Sequence, residues 1–180
     1  LDVVNTLYGG RFTSILMTEL RVKSGLSYSA SSGFRRGSVA GEFFISSFVQ
    51  TANTAKAIDL VLATLENLHH DGLSAGMLDS ARSYVLGQFP TRLETAGHWA
   101  GALADLELYG LGTDYIDGYA AALSRVSAED AQGVINSAFP HAGDLAMVLI
   151  GDAAKIRAQA ASYGTVLEMP LSGIDFIPQN

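Results

Sequence analysis

The apolar residues change period at Gly25. Before it, Phe12, Ile15, Leu16 and Leu20 recur at helical spacing within residues 11–24, which predicts an amphipathic helix. Gly25 is a natural stop, because glycine accepts the left-handed conformation at a helix end. After it, residues 27–36 are rich in Ser and Tyr, and residues 39–51 carry Phe43, Phe44, Ile45, Phe48 and Val49. These two stretches read as strands joined by the turn Arg35-Arg36-Gly37-Ser38, an antiparallel hairpin. Phe43, Ile45 and Val49 fall on one face of the second strand, Phe44 and Phe48 on the other. Such a hairpin needs cover on one side and leaves an apolar side available for use.

The cover comes from the helical patterns that follow. Residues 55–68 repeat Ile58, Val61, Leu62, Leu65 and Leu68. Gly72 breaks this helix, and Ser74 caps the next, which runs through Leu78, Ala81 and Val85 toward Phe89-Pro90. Another spans residues 94–109 through Trp99, Leu103 and Leu106, and Thr113 is placed to cap a short one. Ser127 and Asp130 stand at capping-box spacing. Leu145–Ile150 is a continuous apolar run of strand length, read as a buried central strand. Gly151-Asp152 opens a helix to Ser162, residues 165–168 form a short last strand, and residues 170–180 are a tail. Helices are grouped rather than alternating with strands, so the expected class is α+β: a two-layer mixed β-sheet with helices on one face. In this reading the strand Leu145–Ile150 joins the hairpin, and Ile58, Leu62, Leu65, Leu103, Leu106, Val148 and Ile150 are buried.

The 180 residues fit a single domain, 1–180. Apolar residues are 48% and charged residues only 16%, against about 25% charged in an average domain. Part of the surface is therefore expected to be covered by something. The net charge is −7 and the 11 basic residues are scattered, which argues against nucleic acid and anionic membrane surfaces as partners. No apolar run approaches the ~18 residues of a spanning helix, so no membrane insertion is expected. Cysteine is absent, which excludes disulfides, thiolate metal sites and a cysteine nucleophile. A cysteine-free chain suits cytoplasm and periplasm equally. The opening Leu1-Asp2-Val3-Val4-Asn5-Thr6-Leu7 reads as the middle of a helix, as in a piece of a longer protein.

Few residues could carry chemistry. The histidines are His69, His70, His98 and His141, and none forms H-E-x-x-H, H-x-x-E-H or a His pair four apart. His69-His70-Asp71 reads as a solvated helix end and Glu94 with His98 as a surface pair, since two ligands make a weak metal site. Gly9-Gly10 has no lysine or strand beside it and reads as a turn. One stretch, Glu19 to Ser29, puts Arg21 in the last turn of a helix and Tyr28 at the start of the next strand. The reversal at Gly25 lets both side chains point to one side. Arginine offers a rigid fork of donors and tyrosine one phenol donor, a pair able to hold a carbonyl oxygen as it gains charge. The same residues also fit a helix-terminal arginine on the macrodipole and a half-buried strand tyrosine.

Tyr8-Gly9-Gly10-Arg11-Phe12-Thr13-Ser14 followed by Glu19-Leu20-Arg21-Val22-Lys23-Ser24-Gly25-Leu26-Ser27-Tyr28-Ser29 resembles the pitrilysin/insulinase family of zinc metallopeptidases, which includes the mitochondrial processing peptidase. The likeness is to the C-terminal half, the inactive domain. It continues through Gly41-Glu42-Phe43, Gly87-Gln88-Phe89-Pro90, Tyr109-Gly110-Leu111, residues 126–130 and Gly151-Asp152 to Tyr163-Gly164-Thr165-Val166.

The resemblance implies a half-clamshell fold of the LuxS and processing-peptidase type. It implies that zinc is held by an H-x-x-E-H helix on a zinc-bearing N-terminal domain or a separate catalytic subunit, with no metal or cofactor in this chain. It implies that Arg21 and Tyr28 bind the carbonyl of a peptide substrate, and that Gly9, Gly10, Phe12 and Gly25 are architectural. Two departures stand out. Ile15 occupies a position where the family commonly has arginine, and the strand that precedes the Gly-Gly turn is not present before Leu1. A sheet edge left open there would pair with another chain, a route to a homo-oligomer. The family also contains non-catalytic scaffold and assembly subunits, so an assembly role is the alternative expectation.

Overall fold

Ser14 begins the helical segment that leads to Gly25. Its Oγ accepts the N–H of Met17 at 3.3 Å, an N-cap that starts the short helix α2 at Ile15–Met17. The helix then widens into a π-helical turn over Thr18–Lys23. Gly25, with φ of 64°, reverses the chain, a conformation costly for a residue with a Cβ. The computed structural model describes residues 1–37, 39 and 41–170. Ser38 of the expected turn, and the expected tail beyond Pro170, lie outside the described residues.

The hairpin forms as strands β1, Ser27–Arg35, and β2, Glu42–Val49, paired antiparallel. They are shorter than the pattern predicted, and the connection from residue 36 to 41 is correspondingly longer. On β2, Phe43, Ile45 and Val49 are half-buried and Phe44 and Phe48 are exposed. Buried Ala30 and Ser32 lie on the inner side of β1.

Helices cover that inner face. Helix α1, Asp2–Asn5, runs into a π-helical turn at Thr6–Gly10 and buries Val3, Val4, Leu7 and Tyr8. Gly9 sits where β1 crosses it: a Cβ there would stand 2.4 Å from Ser32 N. Asn5 ties the crossing, donating to Ser32 O at 3.2 Å and accepting from Ser32 Oγ at 2.7 Å. Tyr8, Phe34, Phe43 and Phe139 form an aromatic cluster, with Phe139 5.1 Å from the Phe34 and Phe43 rings and 5.8 Å from Tyr8. It joins the hairpin to the end of α8, Ala128–Ala138. Helices α3, Thr54–Asp71, and α4, Ala75–Gln88, complete the core through Leu65, Leu68, Leu78, Ala81 and Val85.

The remaining helices follow their punctuation. Thr95 Oγ1 accepts from His98 N and opens α5, Ala96–Tyr109, which Gly110 ends with φ of 63°. Gly118 splits the next pattern into α6, Asp114–Asp117, and α7, Tyr119–Ser124. The capping box of Ser127 and Asp130 is formed in full. Asp152 caps α9, Ala153–Ala160.

The sheet departs from the expected mixed sheet. Among the described residues it has two strands, purely antiparallel. Leu145–Ile150 forms no ladder, and Val148 and Ile150 are 84% and 78% exposed. An apolar run signals a tendency to be buried, but a strand also needs a neighbouring backbone to pair with, and neither hairpin edge supplies one. Residues 165–168 are likewise outside any strand, and Glu168 is instead held by Arg157 of α9. Of the predicted core, Leu65 and Leu106 are buried, Ile58 and Leu62 half-buried, and Leu103 is exposed because α5 buries little besides Leu106. The fold is a mostly helical α+β domain with one hairpin.

Candidate peptide-binding site

Arg21 lies in the π-helical turn before Gly25, half-buried, with its guanidinium carbon 4.4 Å from the centroid of the Tyr28 ring. A second ring, Phe12, lies 4.8 Å from the same carbon. Both distances are within the ~6 Å over which a ring quadrupole attracts a cation. Tyr28 is 80% exposed and Phe12 70%, so the stack stands at the surface. Among the described residues Arg21 makes no hydrogen bond or ion pair, and neither does the Tyr28 hydroxyl. The nearest acid in sequence, Glu19, is taken by Lys23 Nζ at 2.6 Å. Six donors, five on the guanidinium and one on the phenol, are therefore available to a ligand.

The backbone explains why Tyr28 faces outward. The β1–β2 register slips between Ser27 and Ala30, a bulge that re-aims the side chain in it. Buried Ser27 anchors the bulge: its hydroxyl lies 2.7 Å from Ser29 O and 2.8 Å from Phe48 O, and accepts from Ser47 Oγ at 2.8 Å. Ala30 N–H, displaced from the ladder, donates to Met17 Sδ at 3.2 Å. Across the hairpin Phe48 is also 80% exposed, and on the α2 side Val22 is 74% exposed.

Phe12 corrects the sequence reading, in which it belonged to the apolar stripe of a helix. Ser14 caps α2, so Phe12 precedes the helix and never joins its buried face. The signal was available in Thr13-Ser14, residues that cap helices more often than they continue them. Glu94 shows the same effect: it precedes the N-cap Thr95 and does not share a helix face with His98. His69 stacks on His141 with ring centroids 4.0 Å apart, and Glu66 accepts from Ala142 N at 2.7 Å beside His141. That backbone bond, then the His141 bond, holds the Glu66 carboxyl below the usual range. His70 pairs with Asp71. Among the described residues no three His, Asp or Glu side chains are grouped to hold a metal ion, so the residues present do not fit a zinc site.

Residues 1–85 match the family described as the peptidase M16 inactive domain. Those residues, just under half of the chain, belong to that family. The matched residues contain the whole stack, the bulge and the hairpin. The chain is 34% identical over 95 residues to the non-peptidase homolog YmxG of Helicobacter pylori, a stretch covering 52% of this chain and 22% of that protein. Its fold is similar to a peptidase M16 inactive domain from Pseudomonas fluorescens, with a TM-score of 0.69 and 24% identity over 75% of this chain and 32% of that one. It is also similar to a protease from Helicobacter pylori, with a TM-score of 0.62 and 21% identity over 78% of this chain and 34% of that one. The chain thus spans about a third of the length of these structures and under a quarter of the curated relative.

Proposed function

We propose that this domain is the substrate-binding half of a zinc-dependent endopeptidase, acting on peptides or unfolded segments enclosed between it and a zinc-bearing domain or subunit. The supporting observation is half-buried Arg21, its guanidinium stacked against Tyr28 with its donors unspent among the described residues. Arg21 and Tyr28 are the substrate-binding residues of this reading. Their N–H and O–H groups donate to the carbonyl oxygen of the bond under attack, and the bonds strengthen as that oxygen gains negative charge. Family membership supports a catalytic partner domain in a half-clamshell arrangement.

The test uses the protein complete with its zinc-bearing partner. Loss of one oxyanion donor costs ~10²–10³ in kcat, so Tyr28→Phe is expected to lower kcat by about that factor with zinc content and melting temperature unchanged. Arg21→Ala should lower both kcat and peptide affinity. Near-normal turnover in Tyr28→Phe would remove the pair from the reaction.

One observation favours a second reading, an assembly or scaffold subunit without hydrolysis: the 34% identical relative is named a non-peptidase homolog. Under that reading the complete assembly cleaves no peptide even when loaded with zinc.

A further inference from the structure

The three-membered stack assigns a role to a residue outside the Arg21–Tyr28 pair. We infer that Phe12 is a positioning residue: it holds the Arg21 guanidinium in the orientation that a peptide carbonyl requires. The inference rests on the peptide-binding reading above and extends it from two residues to three.

Phe12 is 70% exposed, so burial in the core does not explain it. Ser14 caps the helix after it, and Gly9-Gly10 with their tight surroundings precede it: a Cβ on Gly10 would stand 3.0 Å from Asn5 O. The backbone that carries Phe12 is thus fixed on both sides, and its ring is offered to solvent at a set place. Arg21 occupies that place, 4.8 Å from the Phe12 ring and 4.4 Å from Tyr28. No carboxylate among the described residues performs this orienting task, and one that did would consume the donors the ligand needs. Two aromatic rings restrict the guanidinium through its faces and leave its N–H edge for hydrogen bonds. A long flexible side chain ordered before the ligand arrives loses less rotamer freedom on binding. The ligand implied is an uncharged carbonyl with an apolar neighbour, since the donors lie between the exposed rings of Phe12 and Tyr28.

The experiment compares Phe12→Leu, Phe12→Tyr and Arg21→Ala in the full chain. The probe is a twelve-residue extended peptide with blocked termini and alternating apolar and polar residues. Binding is read by titration calorimetry, the Arg21 side chain by the ring-current shifts of its δ and ε protons, and folding by melting temperature. Loss of one exposed cation–π contact corresponds to about two- to fivefold in affinity. Phe12→Leu is expected to move the Arg21 resonances toward random-coil values and weaken the peptide by that factor at unchanged melting temperature. Phe12→Tyr should restore both. If Phe12→Leu binds as wild type, or if Tyr and Leu at this position behave alike, the positioning role is overturned while the Arg21 site stands. If Arg21→Ala binds the peptide as tightly as wild type, the peptide-binding reading itself fails, and the role of Phe12 falls with it.

Discussion

Tyr8 is fully buried, and among the described residues its hydroxyl has no hydrogen-bond partner of good geometry. Thr64 is beside it, but the Thr64 hydroxyl donates to Val61 O at 2.7 Å. Burial is the main cause that pushes the Tyr8 phenol well above the ordinary tyrosine range. A buried polar atom without a partner costs about 1–3 kcal/mol, so Tyr8→Phe is expected to be neutral or to stabilise by up to ~1 kcal/mol in chemical denaturation at pH 7. The sign of the pH dependence follows from the raised value. Above about pH 10 the unfolded phenol loses its proton while the folded one keeps it, so the folded state is progressively destabilised. Tyr8→Phe should therefore retain more of its stability than wild type between pH 10 and 11. A destabilisation of more than 1 kcal/mol at pH 7 would mean that the hydroxyl is satisfied after all. None of this was legible in the sequence, where Tyr8 read only as the residue before a Gly-Gly turn. What surrounds a hydroxyl is decided by elements far along the chain, here Phe43, Phe139 and Thr64.

The helix starts at Ser74 and Ser127 were legible in the sequence, because a cap is a local agreement between a side chain and the next few backbone N–H groups, but those at Ser14 and Thr95 were not read from it, and Thr113, expected to cap, accepts no such bond. Ser74, Thr95, Ser127 and Asp152 each accept a backbone hydrogen bond at the head of their helix. The Ser127 box also sets a pH dependence. Its backbone N–H and hydroxyl, in that order, hold Asp130 below the ordinary value of 3.8. A carboxylate with a lowered folded value contributes stability above its unfolded value and loses it as the pH falls through the folded one. Ser127→Ala should lower the melting temperature at pH 7 by about 2–4 °C, the effect of losing one cap in a domain of this size. The difference from wild type should shrink as the pH falls below 3.8. An equal effect at pH 3 and pH 7 would argue against the box. The bulge after Ser27 had no such local signature. It depends on Ser47 and Phe48 of the opposite strand, and it is what turns Tyr28 toward Arg21.

At the scale of the molecule, the low charged fraction of 16% matches a surface with apolar stretches on it. Val148 and Ile150 are exposed, as are Phe12, Val22, Phe48 and Leu167. Exposed apolar surface of this kind marks an interaction site or promotes association. Val148→Lys is expected to change stability by no more than about 0.5 kcal/mol, while Leu65→Ala, at a fully buried position, should cost ~2–5 kcal/mol. Sedimentation should show less self-association for Val148→Lys than for wild type. Equal costs for the two substitutions would place residue 148 in a buried sheet, as its pattern alone suggested. The sequence by itself determined the hairpin, the caps at Ser74 and Ser127 and the α+β class, because each follows from a pattern local in the chain, whereas the stacking of Tyr28 on Arg21 needed the bulge set by the opposite strand. Only the tertiary structure decided that Phe12 leaves the core to face Arg21 and that Leu145–Ile150 stays unpaired. Both depend on what other backbone stands alongside, and hydrophobicity records the need for a neighbour without saying which one supplies it.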